Sequence, residues 1–238
     1  MDIEKIWENR NYTTQARQIL SAIQNFPKNS KIILVVRHSH VKPNFKKLKD
    51  LDYKLKSIGL EIAKRFGEKL PTNRPIRLFH SSVNRCQKTA EKILAGFKNV
   101  GGKGELKGEF NPLFDVGVTP EFMLKEITHY NPFNFFYRWI AGLYPPDKIT
   151  PLQEYSQNAA NLIWNKLDSA PEKGIDIHIS HDLLVLALRF GWFGFPLINK
   201  WISYIGGLAL VFNKDNISVF NIDIDKLVSI DFPYWWKR

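Results

Sequence analysis

Short runs of apolar residues mark the strands of this chain. Residues 32–36 are continuously apolar and mostly β-branched, which is typical of a strand covered on both faces in a parallel sheet. Residues 76–82 predict a second strand, and residues 175–180, with isoleucine at every second position, predict a third. The segments 207–212 and 217–222, joined by the turn sequence "NKDN", predict an antiparallel hairpin at the sheet edge.

Apolar residues that recur every three or four positions predict helices between these strands. Thr150, Pro151 and Gln153 have the arrangement of a capping box with proline at the first helical position, so we expect a helix to begin there. The segments with helical spacing are 13–25, 55–70, 90–97, 150–167 and 182–194. Alternating strands and helices predict an α/β fold with three layers, α/β/α, and a mostly parallel sheet that has helices on both faces.

One stretch of the chain has neither the apolar runs of a strand nor the three-to-four-residue spacing of a helix. Residues 99–108 are rich in glycine, and we expect a flexible connection there. Residues 109–148 are dense in aromatic residues, proline and asparagine. We interpret the part from about 105 to about 150 as a cap of short helices and loops, inserted into a single domain that spans 1–238.

Composition limits the class of protein. The chain has 238 residues, 44% of them hydrophobic, which is enough to bury one core. Cys86 is the single cysteine, so no intramolecular disulfide can form. No apolar run is long enough for a membrane span or has the form of a secretory signal. We therefore expect a cytoplasmic protein.

The net charge of +11 predicts anionic partners, which could be nucleic acid, acidic lipid or a phosphorylated small molecule. Polar side chains at the ends of the predicted strands favour the last of these. Ligands of open α/β sheets bind where the carboxyl ends of parallel strands meet. Residues that follow the three strands in this way are Arg37 and His38, then Ser81, Ser82 and Arg85, and then His181 and Asp182.

Two arginines and two histidines around one point suit a phosphoryl group. Each guanidinium can donate paired hydrogen bonds to phosphoryl oxygens, and its charge stabilises the transition state. Neighbouring positive charge also lowers the pKa of an imidazole, which keeps it neutral and nucleophilic near a pH of about 7.

The same residues resemble the histidine phosphatase superfamily, which includes phosphoglycerate mutases and histidine acid phosphatases. "RHSH" resembles the Arg-His-Gly opening of that family, and "YKLKSIG" resembles its Leu-Thr-x-x-Gly helix start. "HSSVNRCQKTAE" is similar to its Ser-Ser-x-x-x-Arg-x-x-x-Thr-Ala segment, and "ISHD" is similar to its closing His-Asp. The order and spacing of the four segments carry the resemblance.

The resemblance implies a metal-independent phosphomonoester hydrolase without a cofactor. It makes His38 the nucleophile that forms a phosphohistidine, and it makes Arg37, Arg85 and His181 the phosphate pocket. Asp182 would be the general acid that protonates the departing alcohol. Mutase-type relatives draw this acid from the connecting segment, where Glu105, Glu109 and Asp115 are the candidates.

The chain also departs from the family pattern. Ser39 replaces the usual glycine, and its hydroxyl could donate to phosphate. Val41 stands where the acid phosphatase branch has an additional arginine, although Pro43 matches. His40 or Lys42 could supply the missing charge, and with Ser39 they are the possible substrate-binding residues.

Four alternatives stay open at this point. A phosphomutase would return the phosphoryl group to another hydroxyl of the substrate. A non-catalytic basic protein would use its charge and its aromatic residues to bind nucleic acid or anionic surfaces, although no recognisable nucleic-acid module is present. His38 and His40 would share a face, as metal ligands do, if the strand continued through them. The tail "FPYWWKR" could dock on the body, pair in a dimer or touch a membrane interface.

Overall fold

The structure is a computed structural model, and it describes residues 2–41, 54–113, 115–196 and 201–236. Seven strands in these residues form one sheet. The strands are β1 (Ile32–Arg37), β2 (Ile76–His80), β3 (Gly104–Glu109), β4 (Ile175–Ser180), β5 (Gly207–Phe212), β6 (Asn216–Asn221) and β7 (Lys226–Asp231). The helices are α1 (Ile3–Asn9), α2 (Thr14–Asn25), α3 (Ser57–Glu68), α4 (Asn84–Asn99), α5 (Pro120–Ile140), α6 (Leu152–Lys166) and α7 (Asp182–Phe193).

The sheet has a parallel half and an antiparallel half. Its strand order is β3-β2-β4-β1-β5-β6-β7. The first four strands in this order pair in parallel, and β5, β6 and β7 continue the sheet in antiparallel pairs. β2 and β4 are fully buried, because helices cover both sides of the sheet core. The predicted α/β fold with a mostly parallel core and helices on both faces is confirmed.

The predicted flexible connection at 99–108 is wrong in its second half. β3 occupies Gly104–Glu109 and pairs in parallel with β2. Gly101 and Gly108 have positive φ values of 86° and 93°, which glycine adopts without strain. The glycines therefore make a turn and an irregular strand, and pairing with the edge of β2 orders a segment whose composition suggested a loop.

The predicted capping box at Thr150 is also wrong. α6 begins at Leu152 with Pro151 as its N-cap residue, and no side chain caps it. The backbone N–H of Thr150 instead donates to Val116 O at 2.8 Å, so this residue joins two loops. The helix itself and its end near residue 167 agree with the prediction.

The segment predicted as a cap is dominated by α5. Asn131 has a φ of 62° and precedes Pro132, so a kink divides this helix into two parts. Phe135, Phe136 and Trp139 of its second part are buried in the core. The irregular apolar pattern thus reflects a helix that a kink divides, with its buried aromatic residues in the second part.

The aromatic C-terminal segment docks on the body. The ring of Trp235 stacks parallel to Trp164 of α6 at 6.1 Å, and Trp236 stacks on Phe212 of β5 at 5.2 Å. Tyr234 beside them is 84% exposed. Docking is the alternative that the structure supports for this tail, of which residues 237–238 lie outside the described part. No helix among the described residues is long and apolar enough to cross a membrane.

Candidate active site

The carboxyl ends of β1, β4 and β2 form one rim of the sheet. Because these parallel strands are neighbours, the residues that follow them come together. The backbone N–H of His38 donates to Ser180 O at 2.9 Å, and that of Ser81 donates to Ile179 O at 3.0 Å. The rings of His38 and His181 lie 5.5 Å apart. Residues that are up to 143 positions apart in the sequence therefore meet at the rim, as the strand ends predict.

His38 is held as a neutral imidazole with one free nitrogen. Its side chain is 4% exposed, and its Nδ1 lies 2.8 Å from Ser39 O. Burial lowers the pKa of His38 well below its usual range, and the charges of Arg85 and Arg37 lower it further. Since a carbonyl oxygen only accepts, Nδ1 carries the proton and donates it. The lone pair is then on Nε2, which is the form of histidine that can act as a nucleophile.

His181 has the opposite tautomer. Its Nδ1 lies 3.0 Å from Nη2 of Arg85, and a guanidinium only donates, so Nδ1 accepts. The proton is then on Nε2, which lies 3.1 Å from Ser81 Oγ. Burial lowers the pKa of His181 well below its usual range, and Arg85 and His38 lower it further. His181 therefore fixes Arg85 at the rim.

Cys86 lies beside this pair, with Sγ 3.6 Å from Nε2 of His181. Burial raises the pKa of its thiol to about 12, so the sulfur stays protonated at neutral pH. It is a packing residue and no rival nucleophile for His38.

Arg37 has a well-defined position at the end of β1. Its Nη1 donates to Ile202 O at 2.8 Å, and its Nη2 lies 3.0 Å from Oδ2 of Asp182. The ring of Tyr204 covers the guanidinium at 4.6 Å. The Nε atom is buried and has no hydrogen-bond partner among the described residues. This N–H is a donor to which an anion could bind.

The possible substrate-binding residues Ser39, His40 and Lys42 differ in where the structure places them. Ser39 is fully buried, and its Oγ donates to Gly59 O at 2.7 Å. Its hydroxyl therefore joins the β1 end to α3 and does not face the rim as we expected. His40 stacks on Tyr12 at 5.0 Å, and burial lowers its pKa, with Lys56 lowering it further. Lys42 lies outside the described residues.

His38 and His40 do not share a metal site. The ring of His38 faces His181, whereas that of His40 lies between Tyr12 and Tyr204. Because the chain leaves the sheet after Arg37, the alternation that would place both imidazoles on one face does not continue.

Asp182 is surrounded by hydrogen-bond donors. Its Oδ1 accepts from its own helix at Leu183 N, at 2.9 Å. Its Oδ2 accepts from Trp201 Nε1 at 2.7 Å and lies 3.0 Å from Nη2 of Arg37. The carboxylate is thus at the rim, and it is bonded to the same guanidinium that is expected to bind phosphate.

The three alternative candidates for the general acid, Glu105, Glu109 and Asp115, lie at different places in the structure. Glu105 and Glu109 point from β3 into a groove of about 540 Å³ that is also lined by Arg77 and Lys166. Neither His38 nor Arg85 lines this groove. Glu105 is opposite Arg77 in the register, three residues before the end of β2, or roughly 10 Å from the rim.

Asp115 belongs to a segment that touches the rim. Ser180 Oγ, at the end of β4, donates to Leu113 O at 2.5 Å. Asp115 is exposed, and its Oδ1 accepts from Gly117 N at 3.0 Å. Of the three rivals, it is the one whose segment is bonded to the strand that carries His181.

Sequence reasoning missed the residues of the 201–206 segment. Trp201 and Tyr204 contact Asp182 and Arg37, yet neither belongs to a recognised motif. The hairpin that we expected at the sheet edge lies inside the sheet instead, and its first strand, β5, pairs antiparallel with β1. Val36 is indeed opposite Gly207, so the residues just before β5 reach the rim.

The comparisons with known proteins agree with this geometry. The model of the histidine phosphatase superfamily (branch 1) matches residues 33–106, which include the ends of β1 and β2. No curated protein matches the chain by sequence.

Solved structures share the fold at low sequence identity. Bacillus stearothermophilus YhfR has a TM-score of 0.55 and 16% identity over 85% of this chain and 96% of its own. A mycobacterial glucosyl-3-phosphoglycerate phosphatase complexed with VO3 has a TM-score of 0.54 and 14% identity over 86% and 100%. A phosphoglycerate mutase from Bacillus anthracis has a TM-score of 0.53 and 14% identity over 78% and 90%. The α/β architecture found here is therefore the one seen in these proteins.

Proposed function

We propose that this chain hydrolyses small phosphomonoesters through a phosphohistidine at His38. The match of residues 33–106 to the model of the histidine phosphatase superfamily supports this proposal. One observation carries the proposal. His38 has its proton fixed on Nδ1 by Ser39 O, and its ring faces a second buried histidine that is bonded to Arg85. This arrangement supplies a neutral nucleophile beside fixed positive charge.

In the first step, the Nε2 lone pair of His38 attacks phosphorus and the bond to the leaving oxygen breaks. Arg37 and Arg85 donate to the phosphoryl oxygens as negative charge spreads over them. The Nδ1 proton stays on the ring, and its hydrogen bond to Ser39 O stabilises the charge that the imidazole gains. The departing oxygen takes a proton from a carboxylic acid at the rim.

In the second step, the carboxylate that gave up its proton takes one from water, the water oxygen attacks phosphorus, and the N–P bond breaks. The electron pair of that bond returns to Nε2, so His38 regains its neutral form. The product is inorganic phosphate, and these steps use only side chains of the chain itself. A mutase would instead transfer the group to a second hydroxyl of the bound alcohol.

Asp182 is the proposed proton donor, on the resemblance of "ISHD", and Asp115 is its rival. Asp182 lies in the phosphate pocket through its contact with Arg37. Asp115 is solvent-exposed on a segment bonded to the end of β4. A cytoplasmic location and a phosphorylated small molecule as substrate are parts of the same proposal.

A phosphatase screen over a panel of metabolites tests the proposed function. Wild-type protein should release phosphate from at least one phosphomonoester, and His38→Ala should not. Release of phosphate identifies a hydrolase, whereas an isomeric phosphate ester without release identifies the mutase. Salt-sensitive binding of oligonucleotides without either product would favour the non-catalytic alternative.

The chain offers a matched control for His38. His80 also stands at the end of a parallel strand, is 4% exposed and has its Nδ1 2.8 Å from the next carbonyl, that of Ser81. His80→Ala removes the same type of side chain at the same depth. It should leave turnover near that of the wild type, which separates loss of the nucleophile from loss of packing.

A further inference from the structure

The segment from Trp201 to Gly206 wraps around Arg37. The backbone N–H of Arg37 donates to Gly206 O at 2.9 Å, and Ile205 N donates to Arg37 O at 3.1 Å. Its side chain donates to Ile202 O and lies under the ring of Tyr204. Main chain and side chain are thus both held by one loop, and this loop is the direct lead-in to β5.

Asp182 completes this enclosure from the other side. Its Oδ2 lies 3.0 Å from Nη2 of Arg37 and accepts from Trp201 Nε1 at 2.7 Å. Both bonds meet at one oxygen, so the indole N–H and the guanidinium are joined through a single atom. The direction of this oxygen is fixed by the indole, because a hydrogen bond to a carboxylate is strong and directional.

Trp201 is itself fixed by the scaffold. Its carbonyl accepts from Gln15 Nε2 at 3.0 Å, and Gln15 Oε1 accepts from Ser203 N at 2.9 Å. Gln15 belongs to α2 and is 6% exposed, so a buried amide anchors the loop. The ring of Trp201 also packs edge-on against Phe133 at 4.6 Å. The indole therefore has a defined position from which to orient Asp182.

We propose that Trp201 is a positioning residue that sets the affinity of the site for a phosphoryl group, acting on Arg37 through Asp182. The inference rests on the proposed function, because it takes the rim as a phosphate pocket. With Nη1 and Nη2 engaged by Ile202 O and Asp182, the guanidinium cannot rotate. Its buried Nε–H, which has no partner among the described residues, is then held in place for the anion.

Binding of inorganic phosphate to the whole chain, measured by titration calorimetry, tests this proposal without needing turnover. Trp201→Phe keeps an aromatic ring beside Phe133 and removes the N–H donor. We expect its dissociation constant for phosphate to be about tenfold higher than that of the wild type, the scale of one lost hydrogen bond to a charged group. Asp182→Asn should weaken binding by a similar factor.

Two further variants make the test specific. Trp192→Phe removes a buried indole N–H bond of similar length, 2.8 Å to Ser156 O, between α7 and α6. It should leave phosphate binding unchanged. In an Arg37→Ala background, Trp201→Phe should have no additional effect, because a positioning residue acts only through the group that it positions.

An unchanged dissociation constant for Trp201→Phe would overturn the inference, as would equal factors with and without Arg37. If Trp201→Phe does not fold, Asp182→Asn is measured in its place, with and without Arg37→Ala. Its effect on the dissociation constant for phosphate should again disappear when Arg37 is absent. Wild-type protein that binds no phosphate would contradict both the inference and the proposed function. Phosphate binding that follows the expected pattern, without any His38-dependent hydrolysis, would contradict the proposed function alone.

Discussion

The strand ends at His38 and His80 have the same local structure and different surroundings. Both histidines are 4% exposed, and each has its Nδ1 2.8 Å from the carbonyl oxygen of the following residue. His38 faces His181 and is under the charges of Arg85 and Arg37, whereas His80 has no contact with the second histidine in the described structure. A buried imidazole bonded to the next carbonyl is therefore common to both places, and His38 alone of the two is known to be under the charges of Arg85 and Arg37.

The largest expected effect separates these two histidines directly. His38→Ala should lower kcat for the best substrate by at least about a thousandfold, because the nucleophile is lost. His80→Ala should change kcat by less than about threefold, since only packing is altered. Steady-state kinetics together with the melting temperature of each variant measure the difference. Equal losses for the two variants would remove the distinction on which the comparison rests.

Arg85 is the next test, because its charge acts on His38. Arg85→Ala should lower kcat/KM by about a hundredfold to a thousandfold, as the loss of one preorganised donor to transition-state charge does. Arg85→Lys keeps a charge but loses the paired donors, so its loss should be smaller. Measuring kcat/KM on one substrate for both variants checks this order. A lysine variant as poor as the alanine variant would point to geometry rather than to charge.

The proton donor can be found from the leaving group. Removing a general acid costs about a hundredfold or more for an alkyl phosphate and little for p-nitrophenyl phosphate, whose leaving group needs little protonation. For Asp182→Asn we expect both esters to lose the roughly tenfold that weaker phosphate binding costs, and the alkyl phosphate to lose about a hundredfold more. The alternative outcome is that Asp115→Asn selectively loses activity on the alkyl phosphate, while Asp182→Asn lowers the rates for both esters equally. In that case Asp115 is the general acid and Asp182 acts on phosphate binding alone.

The smallest effect concerns another buried histidine, His178, which lies inside β4 and not at the rim. His178 in β4 is fully buried, and within the described part of the chain neither of its ring nitrogens has a hydrogen-bond partner. Phe79 stacks on its ring at 4.7 Å. Burial lowers its pKa to about 3 from an ordinary 6.5. Below pH 6.5 the unfolded chain binds a proton at His178 and the folded chain does not. The free energy of unfolding therefore decreases as the pH is lowered from 6.5 to about 3.

The expected size is up to about 1.4 kcal/mol of unfolding free energy per pH unit within that window. His178→Leu should remove this dependence and leave the kinetics of the rim unchanged. Urea unfolding of the two proteins at pH 7 and at pH 5 measures the difference. Parallel loss of stability in both proteins would show that His178 does not titrate as its burial implies.

The sequence predicts the parallel core of the fold and the residues at its rim. β1, β2 and β4 are recognisable because continuous burial requires continuous apolar residues, and the polar residues then stand out at their ends. β3 and β7 are not recognisable. β3 is rich in glycine, and β7 alternates between exposed and half-exposed positions, so pairing with a neighbour and not composition makes each a strand.

The missing part of the site has the same explanation. Trp201 and Tyr204 reach Asp182 and Arg37 because β5 runs antiparallel beside β1, and a motif of adjacent residues does not contain this relation. The hydroxyl of Ser39 was predicted to face phosphate from its place in the motif, but the neighbouring carbonyl of Gly59 binds it. Tertiary contacts decide where such polar side chains point.

The most direct test of the central claim is to look for the covalent intermediate. Wild-type protein is mixed with a substrate identified in the panel, quenched at alkaline pH within one turnover and analysed by peptide mass spectrometry. We predict one added HPO3 group on the imidazole of His38 and none on His80. Turnover without any phosphohistidine, or a phosphoryl group on another residue with His38 unmodified, would contradict the account.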